Sequence, residues 1–421
     1  MAITQPDRLV LRGAGDRRMV AILLLVIPLS QIGLDVYTPA LPEMTAAFDA
    51  SNELVQNTVT AYILGMSVSF IPTGLIADAV GRKRVLLAGA GLLALTSVGC
   101  AVAVNLTLLL GMRFIQGIGA SGCLLMAAAI AADRFRGAKL VSVLGLLGAA
   151  WGAAPVLAPA VGGFVVAHGS WRLVFVLFAV AVAAVTLLVA KTMPETLPAH
   201  RRAPIDLRAA AGVLGEALRH RVFLGFVVMF GLIGAAQMVF GVVGPFLFEG
   251  GLGFSPAAYG LVALIVGTAN LAGELACGGL AQRTTTRRLA LAAWSVMILG
   301  ATTLVVSAET VGVHGWVITL GAALVLCGIG VLDPQSKGLA MGVFDRNIGL
   351  IGGLVNTCCY LIVSAAMALM AYLPESSQAP LGWFYLASGV AFVVILLVTV
   401  RQEATPVASC SAVPSQPDSP R

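Results

Sequence analysis

Charge is scarce in this 421-residue chain: only 10% of its residues are Asp, Glu, Lys or Arg, where a soluble globular protein carries roughly 25%. Nineteen acids and twenty-five Lys and Arg cannot clothe a compact body in water, and 59% of the residues are hydrophobic. The mean hydropathy of +0.98 makes lipid the expected solvent and excludes a soluble enzyme. Histidine is rarer still. His168, His200, His220 and His314 fall at span ends or in a linker with no metal-ligand spacing, so no metal site is expected. A nucleophile–base set and a phosphate-binding glycine loop are both missing. The missing G-x-x-x-x-G-K-[ST] run, with no polar segment long enough to hold such a domain, disfavours ATP-driven chemistry. No cofactor and no catalytic activity are implied. The seven cysteines form no disulfide framework, because six lie in apolar runs and Cys410 lies in the tail; they read as small buried apolar side chains.

Long apolar runs are what the chain has in abundance. A bilayer core about 30 Å thick takes roughly 20 apolar residues per helix. Twelve segments meet that requirement, near 19 to 41, 54 to 76, 85 to 104, 106 to 132, 140 to 167, 171 to 192, 222 to 248, 256 to 282, 289 to 308, 313 to 341, 347 to 373 and 380 to 401. The 48 glycines and 19 prolines do not oppose helices here, since both are commoner in membrane helices and small residues let backbones approach closely. The first 18 residues are polar and the first apolar run is of full length without a small-residue cleavage site. It is expected to be a retained span rather than a cleaved signal peptide.

The placement of Lys and Arg sets the expected orientation. Arg113 falls inside a span and Arg172 on one side, while the remaining 23 collect on the other: the amino-terminal arginines, Arg82 to Arg84, Arg134, Arg136 and Lys139, the block from Lys191 to Arg221, Arg283 to Arg288, Lys337, Arg346 and the carboxy-terminal arginines. The positive-inside rule makes that side cytoplasmic and puts both termini there. The net charge of +6 therefore reports orientation, not a nucleic-acid partner. The polar insert 193–221 carries Pro194, Pro198 and Pro204, divides the spans six and six, and reads as a linker. The expected division is a cytoplasmic segment 1–18, a six-helix bundle 19–192, the linker 193–221, a second six-helix bundle 222–401, and a disordered tail 402–421 rich in Ser, Pro and Ala.

Four segments carry a resemblance. The turn after the second span, Gly74-Leu75-Ile76-Ala77-Asp78-Ala79-Val80-Gly81-Arg82-Lys83-Arg84, sets a glycine, an acid and a basic cluster at fixed offsets. Gly81 permits a tight turn, and Asp78 can pair with the neighbouring cations. This loop resembles the signature loop of the major facilitator superfamily. Arg113-Phe114-Ile115-Gln116-Gly117-Ile118-Gly119-Ala120-Ser121 in the fourth span is similar to the motif those transporters carry there. In the fifth span, Gly148, Gly152, Ala154-Pro155, Ala158-Pro159 and Gly162-Gly163 resemble the glycine-proline motif of the exporter branch, with Ala158 where a glycine is usual. Finally, Gly33-Leu34-Asp35-Val36-Tyr37-Thr38-Pro39-Ala40-Leu41-Pro42 resembles the twelve-span drug:proton antiporters, and more narrowly the bicyclomycin and chloramphenicol exporters and the multidrug antiporter related to them. The resemblance runs from about residue 19 to 401, and all four motifs lie in its first half.

The resemblance implies an all-α integral membrane protein in which twelve transmembrane helices form two pseudo-symmetric six-helix bundles. It implies a monomer of the bacterial inner membrane that exchanges protons for a drug-like or amphiphilic compound. A proton-coupled uptake symporter for a metabolite or organic anion shares the fold and remains the alternative. Asp35 and Arg113 are the expected proton-coupling pair, at depths of roughly 9 and 10 Å from the same side. An intramembrane arginine costs at least ~3 kcal/mol on insertion scales and so needs a partner or an aqueous cavity. Burial and the arginine act on Asp35 in opposite directions, so their separation would set how readily it takes up a proton. Glu274, one turn after Asn270 in the eighth span, is a candidate second proton site or contact for a cationic drug. Asp333 and Lys337, spaced i to i+4, read as a local pair. The close multidrug relatives place a second acid two turns before the aspartate of the first span, where this chain has Ile27; the resemblance thereby favours neutral or amphiphilic cargo. Asn57, Tyr62, Gln116, Trp151, Gln237, Phe240 and Tyr360 are the candidate lining of a mostly apolar central cavity of the kind that binds small molecules.

Overall fold

The structure is a computed structural model and describes residues 14–280, 284–344, 346–374 and 377–403. Among the residues discussed above, the amino-terminal arginines Arg8 and Arg12 together with Arg283 and Cys410 lie outside these. Among the described residues, regular structure is entirely helical and twelve helices are long and apolar enough to cross a membrane. A single amphipathic helix, Leu207–Arg219, joins the sixth span to the seventh and packs against the seventh and eleventh spans.

The first span, Gly15–Phe48, is not one rod. It runs as Ala14–Val26, Leu29–Asp35, a 3-10 turn Thr38–Ala40 and Leu41–Phe48. Pro28, Pro39 and Pro42 withhold the backbone N–H groups that a continuous helix would need. Pro42 does not stop the chain, because proline is tolerated in the first turn of the new helix that starts at Leu41. The sequence placed the outer end of this span near residue 41. The structure carries it to Phe48, so Asp35 lies near the middle of the span, at a helix break, rather than two turns from its end.

The helix pairing repeats after six spans. The second packs on the fourth and the eighth on the tenth; the third packs on the sixth and the ninth on the twelfth. The repeat reaches single residues. A side chain at Gly117 would collide with the Tyr62 carbonyl, and at Gly330 with the Asn270 carbonyl, so backbones touch at equivalent places in the two crossings. The two most extensive contacts between the halves put the fifth span on the eighth and the second on the eleventh, and the first span also touches the seventh and eighth. The second and eleventh exchange reciprocal hydrogen bonds, Ser67 Oγ donating to Thr357 O and Thr357 Oγ1 to Ser67 O, both at 3.1 Å.

The loop after the second span gathers the acids of its neighbourhood. Gly81 has φ +117°, a region open to glycine and strained for other residues. Arg82 pairs with Asp78 at 2.6 Å and with Asp133 at 3.4 Å. Glu195 of the linker accepts from the backbone N–H groups of Arg82 at 2.9 Å and Lys83 at 3.4 Å, which caps the positive end of the third span. At the same end, Asp16 pairs with Arg134 at 3.0 Å and Lys139 at 2.6 Å.

Burial alone would raise the Glu195 carboxyl, but the N–H groups of Leu197, Lys83, Arg82 and Thr196 outweigh it and hold it below the usual carboxylate range. A depressed folded value means the stabilisation is complete above the unfolded value of about 4.3 and is lost as the pH falls through the folded value. Glu195→Gln is expected to cost about 1 kcal/mol, the worth of a helix cap, in thermal unfolding at neutral pH. The gap to the parent protein should shrink on acidification from about pH 5 to 3; a pH-independent gap would show that the charge is not what caps the helix.

Candidate functional site

Asp35 closes the segment Leu29–Asp35. One turn earlier, Gln31 Nε2 donates to its Oδ2 at 2.8 Å, and Thr38 Oγ1 donates to its backbone carbonyl at 2.9 Å. The helical ladder ends at the Ile32 carbonyl, which accepts from the Val36 N–H at 2.9 Å, and the break after Asp35 opens the Gly33 carbonyl to a side-chain donor. Arg113 exploits this. Fully buried, at 0% exposure, it sends Nη1 to the Gly33 carbonyl at 2.8 Å and to Gln116 Oε1 at 2.6 Å, and Nε to the Thr58 carbonyl at 3.3 Å. Its guanidinium lies 4.2 Å from the ring centre of Tyr37 and 4.3 Å from that of Tyr62. A cation at a helix C-terminus and between aromatic faces is electrostatically favoured.

Asp35 and Arg113 form no ion pair: among the described residues the ion pairs join only Arg82, Arg134 and Lys139 to acids. The arginine is taken up by carbonyls, an amide and rings, and its Nη2 meets no acceptor. Asp35 instead faces a cavity between the two halves, with Gln31, Thr38, Trp151, Phe240, Tyr259 and Asn270 in its wall. Towards the arginine-rich end lies a second, roomier cavity, which Ile27, Asp333, Lys337, Asn356 and Tyr360 help to line. Trp151, Gln237 and Met238 border both cavities and stand between them.

The candidate lining residues divide accordingly. Trp151 and Gln237 line both spaces, Phe240 the first and Tyr360 the second. Tyr62 and Gln116 do not line either. Tyr62 donates to the Ser30 carbonyl at 2.7 Å and Gln116 Nε2 to Ser97 Oγ at 2.7 Å; both serve the arginine cluster, a more economical use of a buried polar group than an open wall. Asn57 is half-buried on the second span and borders neither cavity.

Glu274 accepts from Asn270 Nδ2 at 2.9 Å and lies over Gly152, where an added Cβ would stand 2.6 Å from its Oε2. It occupies the contact of the fifth and eighth spans, not the cavity wall. Further along that contact, a side chain at Gly163 would collide with the Pro256 carbonyl, and one at Gly162 with the Val36 carbonyl of the first span. Pro155 and Pro159 line the first cavity. Gly74 has open space around it, so nothing in its packing requires a glycine. In the signature loop, Lys83 Nζ donates to the Ala190 carbonyl at 2.9 Å; Arg84 is exposed.

Sequence reasoning passed over Gln31, although a polar residue one turn before an intramembrane acid is a legible signal, and Glu195, for which no local signal exists. It also paired Asp333 with Lys337. Among the described residues no ion pair within 4 Å joins these two, and both open on the second cavity.

A family model described as Major Facilitator Superfamily matches residues 23–368. Multidrug resistance protein MdtL of Escherichia coli O157:H7 is 31% identical over 350 residues, covering 81% of this chain and 86% of its own length. The MFS-type transporter YdgK of Bacillus subtilis is 28% identical over 361 residues, 84% of this chain and 88% of its own. Among solved structures, a D-xylose-proton symporter superposes with a TM-score of 0.74 at 17% identity, over 91% of this chain and 97% of that one; likeness at that identity is a likeness of fold.

Proposed function

This chain belongs to the major facilitator superfamily, and from that premise we propose that it exports drug-like or small amphiphilic compounds in exchange for protons. Its two halves would rock about the central cavities to give alternating access. Export is favoured over uptake by the relationship to a protein named for multidrug resistance. The observation that carries the proton reading is the setting of Asp35. Its carboxylate opens on a cavity between the halves and is held by a neutral amide, so it can gain or lose a proton without breaking an ion pair.

Coupling requires a difference in affinity: protonation of Asp35 has to weaken bound cargo or favour one access state, since equal affinity for both shifts nothing. Arg113 fixes the backbone two residues before the acid, at Gly33, and supplies a positive field. Glu274, placed where the fifth span of one half meets the eighth of the other, is the candidate second proton site, able to report closure of that contact. The loop from Gly74 to Arg84 with Glu195 forms the switch at the cytoplasmic end. The protein works as a monomer in the bacterial inner membrane with both termini in the cytoplasm.

The test is transport by the purified protein in liposomes, with an imposed pH gradient and a panel of labelled compounds. Expected is accumulation of at least one drug-like compound against its gradient, abolished by a protonophore. Accumulation that follows a sodium gradient instead, or that runs in the same direction as the protons, would overturn the antiport reading.

A further inference from the structure

The second cavity is chemically lopsided. The first half of the chain gives it Ile27, Leu124, Leu144, Leu147 and Trp151, an apolar wall. Every charged or amide side chain in its lining, Gln237, Asp333, Lys337 and Asn356, comes from the second half. Asp333 and Lys337 stand four residues apart on the tenth span, roughly 6 Å along the axis, on the same helical face. They do not close on one another within ion-pair distance, and Lys337 Nζ lies 5.9 Å from the Phe230 ring centre. One positive and one negative group therefore face a common space from one wall, against a greasy surface opposite. Trp151, on the partition above, keeps an indole N–H with no acceptor.

Asp333 is half-buried and Lys337 exposed where they line this space, and a ligand that brings the complement of each charge gains a charge-assisted contact there. A simple cation would meet Asp333 but be repelled by Lys337, and a simple anion the reverse; specificity arises as much from these repulsions as from the attractions. We propose that the second cavity is the cargo site and that Asp333 and Lys337 select amphiphiles with a compact zwitterionic head, the ammonium meeting Asp333 and the acid group Lys337, with the aromatic or aliphatic body against the apolar wall of the first half. The assignment rests on the export reading for its direction of travel, but binding itself needs no gradient. It also separates the labour: cargo is held in the cavity at the basic end, the proton at Asp35 in the other, with Trp151, Gln237 and Met238 between them.

The experiment is calorimetric binding to the full chain in lipid nanodiscs, at neutral pH and without a proton gradient, of three matched probes: 4-phenyl-phenylalanine, its cationic methyl ester and its anionic N-acetyl derivative. The zwitterion is expected to bind about 10-fold tighter than either derivative, the worth of one charge-assisted contact. Asp333→Asn should erase the margin over the N-acetyl anion, and Lys337→Met the margin over the ester, while each variant still binds the derivative it no longer repels, which shows that it is folded. Failure of the zwitterion to bind, equal or weaker binding than a derivative, or an equal loss for all three probes in both variants would overturn the assignment. None of these results would touch proton-driven export of other compounds, which the liposome measurement decides separately.

Discussion

Asp35→Asn is expected to abolish compound-induced proton release and to cut uphill export by about 100-fold, near the top of the usual range of coupling free energies. Downhill movement of the same compound through the protein should persist. Asparagine has the size of aspartate and can still accept from Gln31 Nε2, so it stands in for the protonated state and cannot leave it. The variant is also expected to fold normally, within about 1 kcal/mol of the parent in thermal unfolding. That follows from Arg113, whose partners are the Gly33 and Thr58 carbonyls, Gln116 and two rings. Had the two groups been an ion pair, neutralising the acid would leave a buried cation exposed to a cost of about 3 to 5 kcal/mol, and loss of transport would say nothing about protons. Undiminished uphill export by Asp35→Asn, with normal proton stoichiometry, would remove this residue from the mechanism.

The number of spans and the place of Asp35 and Arg113 within them could be read from the sequence, because each depends on composition over a window or on the cost of a charge in lipid. The details of the first span could not. Proline at 28, 39 and 42 permits either an ended or a broken helix, and only packing against the second and fifth spans decides for a broken one that runs on to Phe48. Likewise, a buried acid and a buried base at similar depth suggest a pair. The Gly33 carbonyl opened by the helix break was a competing acceptor, and no pattern of side chains reveals it. Gln116 and Tyr62 looked like cavity lining because polar and aromatic residues within a span serve equally well as walls or as partners of a buried cation. Asp333 and Lys337 show the reverse error: the i to i+4 spacing permits a pair, but the cavity beside them offers both groups another direction.

Arg113→Met is expected to lower stability by about 3 to 5 kcal/mol, and Arg113→Lys by somewhat less. The arginine joins three spans through one planar group: Gly33 of the first, Thr58 of the second and Gln116 of its own fourth. Methionine fills much of the volume but takes the guanidinium donor from the Gly33 carbonyl and leaves Gln116 Oε1 with only the weak Cys100 thiol at 3.9 Å. Lysine restores the charge as a point donor, but it cannot span carbonyls on two helices while stacking between Tyr37 and Tyr62. Thermal unfolding of the two variants measures this. A double-mutant cycle with Asp35→Asn then asks whether the stability is electrostatic coupling to the acid. Because the guanidinium is bound to carbonyls and not to the carboxylate, the effects of Asp35→Asn and Arg113→Met should add to within about 0.5 kcal/mol, as for groups without a direct contact. An interaction energy of 2 kcal/mol or more, on the order found for contacting residues, would mean that the pair forms in the dominant state in the membrane. Arg113 would then be a switched partner of Asp35, not a fixed clasp on the broken helix that carries it.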